Sequence, residues 1–265
     1  GFQAPNALLT TGIQKTVSFF NPDSLVSYSG ELWELSAVEV RATATPPNTQ
    51  EPALSAADQQ AFADAAVSEA SFRSFLRSQN LGVIVVRNQT ARDKADKQQP
   101  FNLRVPGGVQ TLGAGGTIYD IAHFQMFQGD QVRGIGGTSN PRPGRRVLAR
   151  ILNDAAALQN NMPNTSGPAG STAIFADGSS ALFVPARRAL TWQSTAPNGT
   201  PVVRERYWLT LQPGEIRTCD GCHGVNRTGQ AGQAQATQKP AALVALLNHW
   251  RNSAAGNTLL RDGFE

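Results

Sequence analysis

Cysteine is nearly absent from this chain. The 265 residues hold two, Cys219 and Cys222. Both stand in one short motif, so none is left for a disulfide elsewhere, and there is no second pair for a four-cysteine zinc site. Histidine and methionine are as sparse: His123, His223, His249, Met126 and Met162. No apolar run approaches the ~20 residues that span a bilayer, so no transmembrane segment is expected. Charged residues make up only 16%, and lysine occurs only at Lys15, Lys94, Lys97 and Lys239. With no basic run and no aromatic ladder among the arginines, nucleic acid is not an expected partner. Gly1-Phe2-Gln3 has neither a basic n-region nor an apolar h-region. The expectation is a cleaved signal or a piece of a longer chain.

What is abundant is glycine (25) and proline (16), which favours a turn-rich, mainly β architecture. Residues 1 to 30 read as turn-rich with short apolar pieces. Leu32 to Leu35 and Ala37 to Arg41 alternate like a strand pair. From 55 to 79 the period changes to three and four (Phe62, Ala65, Phe72, Phe75, Leu76). One or two helices are expected, with Ser55 as cap and Asp58 three residues on. Leu81 to Val86 reads as a buried strand, Asn88 to Gln99 as a loop, Phe101 to Val105 as a strand and Gly107 to Gly116 as a turn. Ile118 to Val132 fits strand or helix, with a break near Gly129-Asp130. Residues 154 to 170 read as a loop. Then four strands are expected as a meander: Thr172–Ala176, Ala181–Pro185, Ala189–Gln193 and Val202–Leu211. Asp177-Gly178 and Asn198-Gly199 supply its turns. Pro240 starts a helix over Ala241–Trp250, with Leu243, Leu246, Leu247 and Trp250 on one face.

The predicted fold is mainly β, an antiparallel β-sandwich-like domain with a helical insertion and a C-terminal c-type haem segment ending in a helix. The expected organisation is a β segment at 1–50, a helical insertion at 51–82, a β-rich domain at 83–216, and a haem-binding segment with the final helix at 217–265.

The motif at the end of the meander is Cys219-Asp220-Gly221-Cys222-His223. Two thiols that add across the two haem vinyl groups must stand a fixed short distance apart, and the next histidine falls under the iron. Cys219, Cys222 and His223 are therefore the expected sites for one covalent haem c, with His223 as proximal ligand. The other readings are a redox dithiol and part of a metal site. A dithiol of that kind opens a helix after a strand, whereas this motif follows a proline- and glycine-bearing turn. The distal ligand would come from Met162, His123, His249 or Met126. Arginine suits haem propionates through its paired donors. Arg142, Arg145 and Arg146 read as a solvated turn, a propionate contact or a docking patch for an acidic redox partner. The stripe at Phe62, Phe72 and Phe75 reads as core.

Several segments also resemble a known family. They are Leu32 to Val40, Ala176-Asp177-Gly178-Ser179, Val184-Pro185-Ala186, Leu190-Thr191-Trp192-Gln193, Gln212-Pro213-Gly214-Glu215 and the C-x-x-C-H motif. In this order they look like the c-type haem domain of hydrazine synthase alpha-subunit-like, propeller-associated cytochromes, best from about Arg145 to Gly224. The resemblance implies a β domain with a covalent haem, often joined to a propeller whose final strand 1–50 would resemble. In that family a tyrosine soon after the motif binds the catalytic iron, and Gly224 to Gln230 contains none. Hydrazine formation is therefore not expected here. The expected function is monohaem electron transfer in the periplasm or outside the cell, with a redox partner protein or copies of the chain itself. The rivals are a haem enzyme with an open distal site acting on a small nitrogen or oxygen species, and a haem-stapled assembly module.

Overall fold

The structure is a computed structural model. It describes residues 12–21, 23–32, 53–93, 102–113, 115–133, 145–221, 228–229, 232, 234 and 236–253. The chain forms two compact units, Gly1–Gln50 and Glu51–Glu265.

In the first unit β1 (Ile13–Asn21) and β2 (Ser24–Leu32) pair antiparallel along their whole length. This hairpin lies where the sequence read as turns. Its period is two: Val17 pairs with Tyr28 and Phe19 with Val26 on one face, while Thr16–Ser29 and Ser18–Ser27 bond through their hydroxyls on the other. The strand pair expected from Leu32 to Arg41 lies beyond Leu32 outside the described residues.

The second unit begins with two helices, α1 (Ala56–Asp64) and α2 (Glu69–Ser78). Ser55 caps the first by accepting from the Asp58 amide, and Ser68 caps the second by accepting from Ser71. The all-apolar β3 (Leu81–Val86) is buried at every position. Short β4 (Asn102–Arg104) and β5 (Ile118–Asp120) pair with each other. Next come β6 (His123–Arg133), β7 (Arg145–Ile151), α3 (Ala155–Asn160) and β8 (Ser171–Ala173). The chain continues through β9 (Ser180–Pro185), β10 (Leu190–Thr195), β11 (Pro201–Arg204), β12 (Ile216–Cys219) and α4 (Ala241–Asn252).

These strands build a mainly β fold in antiparallel and mixed sheets. One sheet has the order β11-β10-β6-β7, with β8 also on β6. A second is β12-β3-β9, parallel between β12 and β3 and antiparallel between β3 and β9. Helices α2 and α4 pack on the three-stranded sheet, and α1 packs on α4. Phe72 lies 4.9 Å from Trp250, 5.6 Å from Phe62 and 5.7 Å from Phe183 between ring centroids. The Phe stripe is thus core contact, and burying each such ring contributes about 1.5–3 kcal/mol. The other face of this sheet, with Ile84 and Leu182, shares one core cluster with Phe124 and Met126 of the larger sheet.

Four further sequence expectations are corrected. Of the four-strand meander only the hairpin across Asn198-Gly199 forms, β10 with β11; β9 leaves its sequence neighbours to pair with β3, while β8 and β10 pair with β6. The last predicted strand stops at Arg204, since the Glu205 carboxylate accepts from the Arg206 and Tyr207 amides and turns the chain. Gly129-Asp130 does not break β6, because β7 continues to pair there, opposite Ala149 and Leu148. Residues 155–160 form α3 rather than loop, capped by the Asp154 side chain on the Ala157 amide.

Candidate functional site

Cys219 is the last residue of β12, the edge strand beside β3. The turn Gln212-Pro213-Gly214-Glu215 aims that strand. Gly214 takes φ +91°, which glycine adopts without strain, and its amide donates to the Leu81 carbonyl at 2.9 Å. The buried Arg73 guanidinium donates to the Gly214 carbonyl at 3.0 Å. The Glu215 carboxylate accepts from the Gln212 amide and from the Arg217 guanidinium. From there Ile216 to Cys219 runs in register with Val83 to Val86. The strand end is closed by the Arg87 amide, which donates to the Cys219 carbonyl at 2.9 Å.

Cys219 is half-buried against the core and carries a free thiol. Burial pushes that thiol above its ordinary value of 9.0. Arg217 pulls the other way, and Asp220 and Glu205 add to the rise. The thiol is therefore neutral near pH 7. Beyond Cys219 the chain meets a cleft of about 410 Å³, on whose wall Asp220 and Gly221 stand. Ala91, Val109, Leu112 and Ala236 supply apolar lining, and Thr90, Arg92 and Gln110 supply polar groups. Gly221 passes so close to the loop after β3 that a Cβ would lie 2.8 Å from the Ala91 carbonyl oxygen. Past the motif, Gly229 bridges Asp93 and also lines the cleft with Ala234.

Cys222 and His223 lie outside the described residues, as do Arg142 and the side chains of Arg145 and Arg146. The four candidate distal ligands are scattered. His123, on β6, is buried with both ring nitrogens engaged: Nδ1 accepts from the Asn164 amide at 3.1 Å and Nε2 lies 3.4 Å from the Pro197 carbonyl. Met126, also on β6, is fully buried in the core. Met162 follows α3 and packs against the core cluster. His249 sits in the last turn of α4. Among the described residues, none of the four lines the cleft beside Asp220.

The sequence reading missed Arg87. Its one signal was position: a single arginine directly after six apolar strand residues, where alternation leaves no wet face. Among the described residues no helix is long and apolar enough to cross a membrane.

No curated protein matches this chain. Among solved structures, hydrazine synthase from Kuenenia stuttgartiensis is similar at 14% identity over 54% of this chain, with a TM-score of 0.30. The match takes in 17% of that chain, so the present sequence spans under a fifth of that relative's length. Residues 123–224, from the start of β6 through the C-x-x-C-H motif, match the family described as the hydrazine synthase alpha subunit middle domain. The sequence motifs had pointed to a haem-bearing C-terminal domain of that family, and the match names its middle domain. Over that stretch the chain is similar to the alpha subunit of hydrazine synthase.

Proposed function

We propose that the chain is a c-type haem protein of the periplasm or cell exterior that transfers electrons through one haem bound at Cys219 and Cys222. The observation that carries this reading is Cys219 at the end of a braced strand, opening C-x-x-C-H with Asp220 and Gly221 on the wall of a cleft. The described residues fit such a group. A flat apolar ring needs apolar cover, which Ala91, Val109 and Leu112 offer, and Arg92 lines the same cleft, where propionates need a cation. When bound, the haem supplies one-electron chemistry at iron. The protein's part is to hold Cys219 fixed for thioether formation, with His223 as proximal ligand. Electrons would pass to a redox partner protein or to another copy of the chain.

A second reading has its own observation in favour. Among the described residues no histidine or methionine lines the cleft, which suits an open distal position and chemistry on a small nitrogen or oxygen species.

The test is the full chain produced in a host that attaches haem c in its periplasm. Intact-mass measurement should show one added haem, and Cys219→Ser should remove one of its two thioether links. A chain that never gains the haem mass overturns both readings. A low-spin reduced spectrum unchanged by carbon monoxide supports electron transfer. A spectrum that shifts with carbon monoxide supports the open site instead.

A further inference from the structure

The residue that ties the motif to the rest of the fold is Arg87, whose side chain is 4% exposed. Its Nε donates to Asp220 Oδ1 at 3.0 Å and its Nη1 to the Gln238 carbonyl at 2.8 Å. Its Nη2 donates to Asp58 Oδ2 and to Ser55 Oγ, both at 2.7 Å. The backbone takes part as well: the Arg87 amide donates to the Cys219 carbonyl, and the Arg87 carbonyl accepts from Gln238 Nε2 at 2.9 Å. One residue therefore bonds the first two positions of the motif, the capped start of α1 and the segment that returns toward α4.

The two carboxylates are not equivalent. Asp58 is almost as buried as Arg87, at 3% side-chain exposure, whereas the Asp220 side chain is 46% exposed. The buried cation is already neutralised by Asp58, so the fold does not require Asp220 for charge balance. Asp220 in turn could keep its carboxylate in water. What the Arg87–Asp220 pair does is immobilise the residue between Cys219 and Gly221. A guanidinium can do this while holding Asp58, Ser55 and Gln238, because its fork presents five fixed N–H donors, and a lysine ammonium cannot.

We propose that Arg87 is the positioning residue of the haem-attachment segment. Through the Cys219 carbonyl and the Asp220 carboxylate it sets the path from strand end to cleft before haem is added. The functional part rests on the haem reading of C-x-x-C-H. The clamp itself is a property of the haem-free fold and can be tested apart from it.

Asp220→Asn is the discriminating variant, since it leaves the Arg87–Asp58 pair intact. In the haem-free full chain, amide hydrogen exchange at Cys219, Asp220 and Gly221 should become about two- to fivefold faster, the size set by one half-exposed ion pair. Exchange in α1 and α4 should stay at the wild-type rate, and Asp220→Glu should restore protection. In chain matured with haem, Asp220→Asn should lower the fraction carrying covalent haem by about the same factor, and it should raise the reduction potential as a negative charge leaves the attachment segment. Wild-type exchange in Asp220→Asn overturns the clamp. Faster exchange with unchanged attachment and unchanged potential overturns the positioning role. A wild-type chain that never acquires haem overturns the haem reading, and the exchange result still decides the clamp. Arg87→Lys should loosen both the motif and the start of α1. The Asp220 variants carry the test if that chain does not fold.

Discussion

At Gly221 a single methyl group would meet the Ala91 carbonyl oxygen at 2.8 Å and the Ala91 side chain at 3.1 Å. The backbone of Ala91 therefore limits what can stand at the middle of the motif. Gly221→Ala should lower the stability of the haem-free chain by about 1–3 kcal/mol, the usual range for overpacking; urea unfolding measures it, and an unchanged midpoint would mean the turn simply shifts. Cys219 gives a second residue-scale expectation. Its thiol is raised in the folded chain, chiefly by burial. A raised value means the folded state holds its proton longer than the unfolded state. The contribution is fully present below the ordinary value of 9.0 and is lost as pH rises through the folded value. Urea midpoints of the haem-free wild type should therefore fall, relative to Cys219→Ser, between neutral and alkaline pH. Parallel curves for the two chains would contradict the burial argument. The C-x-x-C-H spacing of Cys219, Cys222 and His223 was legible along the chain. The role of Arg87 was not, because its partners lie at Ser55, Asp58, Asp220 and Gln238, far apart in sequence.

At the scale of elements, Asp177-Gly178-Ser179 does more than turn the chain. The Ser179 amide and hydroxyl both donate to Asp177 Oδ1, closing the turn. The free ends of these groups then cap a distant helix: the Ala241 amide donates to Asp177 Oδ2 and the Ala242 amide to Ser179 Oγ, both at 2.9 Å. α4 needs this help, because its own N-cap position is Pro240, which makes no side-chain cap. Asp177→Ala should cost about 0.5–2 kcal/mol, as for other lost caps. Thermal unfolding followed by far-ultraviolet circular dichroism checks this, and a full-strength α4 signal with an unchanged midpoint would refute it. The helices α1, α2 and α4 and the strand β3 were legible from period and caps alone. The pairing of β9 with β3 was not. Hairpin turn residues at 177–178 argue for local pairing, yet the six consecutive buried positions of both β3 and β9 make them better partners for each other.

For the whole molecule, the division at Gln50 separates a unit whose described residues form the β1–β2 hairpin from a unit with its own core. The core cluster lies wholly within the second unit, so its burial gives that unit a cooperative transition of its own. Residues 51–265 produced alone should unfold with the same midpoint and urea dependence as that unit in the full chain; a clear drop would show that it leans on the first. The mainly β class, the helical start of the second unit, the final helix and the C-x-x-C-H spacing were determined by the sequence itself. Each depends on residues within one turn or one strand of each other, where period, capping and covalent reach act. Only the tertiary structure decided how the strands of the second unit divide among three sheets and that β12 runs parallel to β3. It also decided that the turn at Asp177 caps α4, that none of His123, Met126, Met162 and His249 lines the cleft, and that Arg87 fastens the motif. Those outcomes come from burial and hydrogen bonds between segments 29 to 151 residues apart. A pattern read along the chain does not record which of many such pairings satisfies every buried polar group at once.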